Sequence, residues 1–275
     1  PATLLARLES RLGLLTGGPR DAPARQQTMR AAIEWSYELL DNREKSLFRC
    51  LSTFAGGFTI ESAEFVCAGP VSGCGEFDTL DGLTSLVDKS LLLSSELDDG
   101  GVRFRFLEVV REYAAETLAQ SGELDAAARR HAEFFTRLGE DAEPHLKAAQ
   151  SAQWLDILED EHDNLRSALR WATMHDAELG ERLAGSIWRF WWLHGHIREA
   201  CEQLGTLLSL PVAGEARIRT KMLLGAAFLN RLRGNFNESR AYASDAFETA
   251  RESGDNEGRA QALYQIGLVR LDDSD

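Results

Sequence analysis

No stretch of this sequence approaches the ~18 consecutive apolar residues of a membrane span, and no signal-peptide pattern precedes the first helical segment, so a soluble, cytoplasmic chain is expected. Positive charge is scarce: 30 Lys and Arg face 44 Asp and Glu, a formal net charge of −14 over 275 residues. Binding phosphates requires a basic face, so this balance argues against direct nucleic-acid contact. The deficit is uneven. Residues 1–30 carry five Arg against two acids, residues 31–127 carry seven bases against 18 acids, and the remainder carries 18 against 24. Cysteine is limited to Cys50, Cys67, Cys74 and Cys201, without Cys-x-x-Cys spacing, which fits free thiols in a reducing compartment better than a zinc site. The phosphate-cradling G-x-x-x-x-G-K-[ST] pattern is missing, and the six scattered His form no set with informative Ser/His/Asp spacing. No catalytic, cofactor-binding or metal-ligating set is therefore expected, and the chain reads as a non-enzyme.

What is present is patterning. In RFRFLEVVREYAAETL, residues 103–118, Phe104 and Phe106 alternate with Arg103 and Arg105, the two-residue period of a half-buried strand. Val109 and Val110, Tyr113 and Ala114, and Thr117 and Leu118 then recur at helical spacing. Upstream lie short, well-punctuated helices. One, over 28–40, sets Met29, Ile33, Tyr37 and Leu40 on one face. Asp41 and Glu44, at capping-box spacing, open a second with Leu47, Phe48, Leu51 and Phe54 inward. Gly56-Gly57 stops it, and Thr59 caps a third carrying Ile60, Ala63, Val66 and Cys67. After a Gly-rich loop over 69–77, Asp78 caps a fourth that buries Leu80, Leu83, Leu86 and Val87. A strand at 91–95, a turn at Asp98-Asp99-Gly100-Gly101 and a returning strand at 102–106 make a hairpin. This order predicts a winged-helix domain over 28–122. Residues 16–27, rich in Gly and Pro at their start, read as a linker, and residues 1–15 as a leucine-faced helix.

Residues 123–275 are helical throughout. The segments 128–146, 152–175 and 177–196 each read as one amphipathic helix. Gly195-His196-Ile197 and Gly234-Asn235-Phe236 repeat a turn 39 residues apart, and Ala227 and Gly267 put small residues at matching helix positions 40 apart. That period exceeds the usual 34 of tetratricopeptide repeats, so the helices or the GDNEG-type loop must be longer. The expected fold class is mainly α: a winged-helix domain of helices plus a small β-hairpin, followed by an α-solenoid of tetratricopeptide-like hairpins. The last repeat looks truncated at the C-terminus, leaving Leu263, Ile266 and Leu271 for self-association.

Five segments carry a resemblance: RQQTMRAAIEWSYELLDNREKSLFRCLSTFAGGFTIESAE (25–64), LVDKSLL (86–92), RFRFLEVVREYAAETL (103–118), LEDEHDNLRSALRW (158–171) and WRFWWLHGHIREA (188–200). They resemble the central part of bacterial STAND regulators, NB-ARC-type signal-transduction ATPases with a winged helix and tetratricopeptide repeats, including LuxR- and SARP-type transcriptional regulators. The resemblance implies that residues 1–15 end the helical lid of an absent ATPase domain. It also implies that ATP or ADP with magnesium belongs to the full-length parent, with ATPase activity upstream. The winged helix becomes an intramolecular switch against that ATPase domain, and the repeats a sensor for a protein partner or small inducer. The family's Met-His-Asp motif falls on Phe106-Leu107-Glu108. Leu107 cannot donate to a phosphate, so Glu108 is the nucleotide-sensing candidate that remains, against the plainer reading of a first-turn acid favoured by the helix dipole. The alternative is a DNA-binding transcription factor whose winged helix reads the groove and whose repeats bind a partner.

Three clusters invite chemistry and have plainer readings. Trp188, Phe190, Trp191, Trp192 and His194 could line a ligand pocket, but aromatics at helical spacing are more often core. His194 and His196, two apart, fall on different faces of a helix, which argues against a metal pair. The run Glu159-Asp160-Glu161-His162-Asp163 suggests a cation site, but more commonly such a run is a solvated helix face.

Overall fold

Local capping chemistry starts the winged unit. In the computed structural model, which describes residues 29–68, 78–97, 100–147, 151–211 and 213–272, helix α1 (Met29–Glu38) leads into α2 (Asn42–Leu51). Asp41 accepts from the backbone N–H of Arg43 at 2.7 Å and of Glu44 at 2.9 Å, while Glu44 accepts from the N–H of Asp41 at 2.9 Å. The expected capping box is therefore formed, a contribution of about 1 kcal/mol. Strand β1 (Gly57–Thr59) follows, then α3 (Ile60–Cys67), capped by Thr59, and α4 (Thr79–Asp88), capped by Asp78. Strands β2 (Leu93–Glu96) and β3 (Val102–Arg105) form the wing, and α5 (Glu108–Ser121) closes the layer.

The sheet is antiparallel in the order β1-β3-β2, with Phe58 opposite Phe104 and Leu93 opposite Arg105. Strand β1 was not expected. Three residues are too few to display a period of two, and they form a strand only because β3 offers a free edge. An aromatic ladder fills the core. Phe54 stacks on Phe58 at 4.8 Å, Phe58 on Phe104 at 5.9 Å, and Phe48 meets Phe106 edge-on at 5.4 Å. The stripe of α5 buries Val110, Tyr113, Ala114 and Leu118, as its period requires. Cys50 and Cys67 are buried free thiols.

Three sequence expectations fall on residues outside those described: the helix at 1–15 with the linker at 16–27, the loop at 69–77 with Cys74, and Asp98-Asp99 of the hairpin turn. Two burial expectations are corrected. Leu80 is 44% and Met29 46% exposed, each in the first turn of its helix with none of the described elements laid over it.

The described residues form two compact units, divided between Phe134 and Phe135. The first extends into helix α6 (Leu124–Ala142), whose opening turns complete the winged core. Arg130 donates to the carbonyl of Val66 at 2.6 Å, His131 packs on Phe54, and Phe134 on Phe65.

In the second unit, a 3-10 turn (His145–Lys147) precedes α7 (Ser151–Asp160), α8 (His162–His175), α9 (Ala177–Leu193) and α10 (Ile197–Leu208). Helices α11 (Ala216–Leu232), α12 (Phe236–Ser253) and α13 (Asn256–Asp272) follow. The first helices of successive hairpins start at 177, 216 and 256, steps of 39 and 40 that match the repeat in the sequence. Helices of 17 and 18 residues, α11 and α12, carry the excess over 34; the loop between α12 and α13 is short. Gly234 adopts φ +76°, which lets the N–H of Asn235 reach the carbonyl of Asn230 at 2.9 Å in a Schellman closure. Gly195 repeats that left-handed conformation at φ +83°. Ala227 is fully buried and its carbonyl accepts from Ser239, so the small residue marks a helix contact, whereas a Cβ on Gly267 would meet open space. Leu263 and Leu271 are more than half exposed.

One helix of the sequence reading is two. Residues 152–175 break at Glu161, which leaves helical geometry at φ −96°, ψ 6°. Glu161 is buried and accepts from Asn164 at 2.6 Å. No Gly or Pro signals the break, at which Leu158, Glu161 and His162 are all buried.

Candidate functional site

On the winged unit, α4 is the helix that the sequence pattern singles out as the one that would enter DNA. Leu83 and Leu86 are buried, and the exposed positions are Leu80, Asp81, Thr84, Asp88 and Lys89. Val87 is only partly buried, so the inward stripe is narrower than its spacing suggested. Lys89 is not available for phosphate. Its ammonium pairs with Glu44, which also accepts from Ser85 at 2.5 Å. Burial alone would raise the Glu44 pKa, but Lys89, Ser85 and the Asp41 N–H overcome it and lower it. On the wing, Arg105 is exposed while Arg103 donates to the carbonyl of Gly57 at 3.1 Å, folded back onto β1. A groove-reading helix needs cationic or amide side chains at base edges. The outward face of α4 offers apolar and acidic ones.

Glu108 sits in the first turn of α5 with its carboxylate 2.8 Å from Arg111, and Leu107 before it is 48% exposed. The geometry is that of a first-turn acid with an i,i+3 partner.

In the repeat unit, the first helix of each hairpin contributes to one cleft of about 400 Å³. Trp188 and Arg189 come from α9, Thr220 and Lys221 from α11, Gly258 from α13 and Asp255 from the position just before it. The Arg189 guanidinium lies over the Trp188 ring at 4.3 Å, a cation–π contact. Burial lowers the Arg189 pKa, opposed by the charge of Glu143. Arg189 Nε and Thr220 Oγ1 are both buried and lack a hydrogen-bond partner among the described residues, whereas Lys221 is engaged by Glu143 at 2.7 Å. Unpaired donors in a concave, mixed-charge surface are what a polar ligand or peptide backbone would satisfy. The aromatic run divides accordingly. Phe190 and Trp191 are core, Trp192 packs edge-on against Phe228 at 4.8 Å, and Trp188 serves both core and cleft.

The histidines are rearranged most. His194 and His196 do not share a helix: His194 ends α9 and His196 opens α10 across the Gly195 turn. The turn brings both to one carboxylate, with Glu159 Oε2 3.2 Å from His194 Nδ1 and 2.9 Å from His196 Nε2. The different-faces argument therefore fails. His162, at the start of α8, is 6% exposed, and its ring lies 4.2 Å from that of His196. Nor is the 159–163 run simply a solvated face, because Glu161 and His162 point inward while Asp160 and Asp163 point out. Burial pushes the His162 pKa down, against the charge of Glu199. Burial would raise Glu159 and Glu199, but hydrogen bonds from His196 and Arg166, respectively, help to hold both below the usual carboxylate value. Neither the break at Glu161 nor the inward turn of His162 has a signal in the sequence.

A three-helix core with a two-stranded wing and a third pairing strand defines a winged helix-turn-helix domain, here joined to helical repeats. Residues 40–119 match the family described as the winged helix-turn-helix domain. The chain is 36% identical over 278 residues to a candidate HTH-type transcriptional regulator of Mycobacterium tuberculosis, and equally to one of Mycobacterium bovis; the match covers 97% of this chain and 31% of each relative. A second M. tuberculosis protein, without an assigned function, is 37% identical over 131 residues, 48% of this chain and 33% of its own. The chain thus spans about a third of the length of these relatives. A crystal structure of a STAND protein with a tetratricopeptide repeat sensor from Pyrococcus horikoshii superposes with TM-score 0.44 and 15% identity, over 92% of this chain and 38% of that one, too distant to carry an argument. Among the described residues, no helix is long and apolar enough to cross a membrane.

Proposed function

We propose that this chain is the regulatory segment of a STAND-type transcriptional regulator. In this reading the winged helix docks on protein, as an intramolecular switch against an upstream NB-ARC-type ATPase domain, and the repeats receive the signal. The observation that carries it is the outward face of α4, where Leu80, Asp81, Thr84 and Asp88 are exposed and Lys89 is held by Glu44. Such a face suits a protein surface with basic and apolar groups, and it repels phosphates. The cleft between α9, α11 and α13, with its unpaired Arg189 and Thr220 donors, is the receiving site for a protein partner or small inducer. ATP with magnesium acts on the parent and not on this chain, which has no phosphate-cradling motif. Calorimetry should detect no micromolar ATP binding.

The second reading, a winged helix that itself binds DNA, is favoured by the match over residues 40–119 and by the description of the mycobacterial relatives as HTH-type regulators. An electrophoretic shift with random duplex at low salt separates the two. Docking on protein predicts no retardation at submicromolar chain. Retardation that disappears in the Arg103→Ala, Arg105→Ala double variant would establish the second reading instead.

A further inference from the structure

We infer that Glu159, His162 and His196 form a binding site for a divalent transition metal of the zinc class, at the joint between α7, α8 and the α9–α10 turn. One carboxylate oxygen and one ring nitrogen from each histidine lie within 4.8 Å of one another. Tetrahedral ligation at ~2.0–2.1 Å sets donor atoms ~3.3 Å apart, so modest rotamer adjustments bring the three to bonding distance. The independent sign is His162. It is 6% exposed, yet its Nε2 is buried and makes no hydrogen bond. A buried polar atom without a partner is rare and calls for a cause. The nearest acceptor, Glu199 Oε2, is 3.5 Å away and is itself held by Arg166. A cation takes the lone pair of a neutral imidazole directly.

The donor chemistry selects the ion. Two imidazoles with carboxylate suit zinc, copper, nickel or cobalt, whereas magnesium and calcium call for oxygen throughout. Glu199 Oε2, 3.5 Å from the same His162 Nε2, stands beside the site as a fourth donor. Occupancy would add a metal bridge between the break at Glu161 and the turn through Gly195, which Glu159 already joins through His194 and His196. This site stands apart from the proposed switch, and either can fail without the other.

The test is titration of the full chain, free of any histidine tag, with zinc chloride by calorimetry, and with cobalt by visible absorption. We expect one equivalent bound with micromolar or tighter affinity, the visible bands of tetrahedral cobalt, and a raised melting temperature. Glu159→Gln and His196→Gln change partly exposed side chains and should leave the far-ultraviolet circular dichroism intact while weakening binding about tenfold or more. The magnesium titration should be silent. No zinc binding by the wild-type chain at about 100 μM, or binding undiminished in both variants, would overturn the assignment.

Discussion

Replacing Arg219 with Met tests how the repeat unit is held together. Glu181 on α9 is completely buried, and among the described residues it accepts from Arg219 Nη1 at 2.9 Å and from the N–H of Gly214 at 3.0 Å. The guanidinium, 11% exposed, also donates to the carbonyls of Leu207 and Leu208 at the end of α10. One side chain thus ties α9, α10 and α11. Removing it leaves a carboxylate in the interior without countercharge, which costs about 3–5 kcal/mol. Over the roughly 140 residues of this unit the entropy of unfolding is about 0.3 kcal/mol per degree, so the melting temperature should fall by about 10–15 °C. Thermal melting followed by circular dichroism reads this directly. The double variant Glu181→Met, Arg219→Met removes both charges at similar volume and should recover most of the loss, because the buried pair itself contributes little beyond an apolar replacement. A single variant that melts within about 3 °C of wild type, or a double variant as damaged as the single, would refute the reasoning.

Other expected outcomes follow from the same geometry. The Glu44 pKa is lowered in the folded state, so its stabilising contribution is present above the ordinary carboxylate range and lost as pH falls through the lowered value; melting of the winged unit should decline below about pH 5, and Glu44→Gln should flatten that decline. Ser90 adopts φ +59° at the end of α4, where Leu91 N–H reaches the Leu86 carbonyl at 2.9 Å, so Ser90→Gly should raise stability by about 0.5–1 kcal/mol, read by denaturant titration. Ala227→Trp should destabilise the repeats by about 1–3 kcal/mol or more, since Ala227 is fully buried against Ser239; an unchanged melting temperature would mean the helix register is wrong.

Some of this protein is written locally. The capping box at Asp41 and Glu44 uses atoms three residues apart, and the stripe of α5 and the 39–40-residue repeat are periodic, so each is legible without knowing what lies opposite. The charge of α4 was equally plain from its residues, and the structure strengthened its meaning by placing Lys89 on Glu44, 45 positions away. The cleft was legible only as a cluster of aromatics, because its polar side chains Arg189, Thr220 and Lys221 come from two helices whose facing sides are set by packing. What only tertiary structure decided is where the chain departs from its own periodicity. Strand β1 exists because β3 offers an edge, and the helix over 152–175 breaks at Glu161 without any Gly or Pro in the segment. Glu159 and His162, three apart, are at the spacing of neighbours on a helix, but bringing His196 to them depends on the Gly195 turn and on the packing of separate helices, which no local spacing encodes.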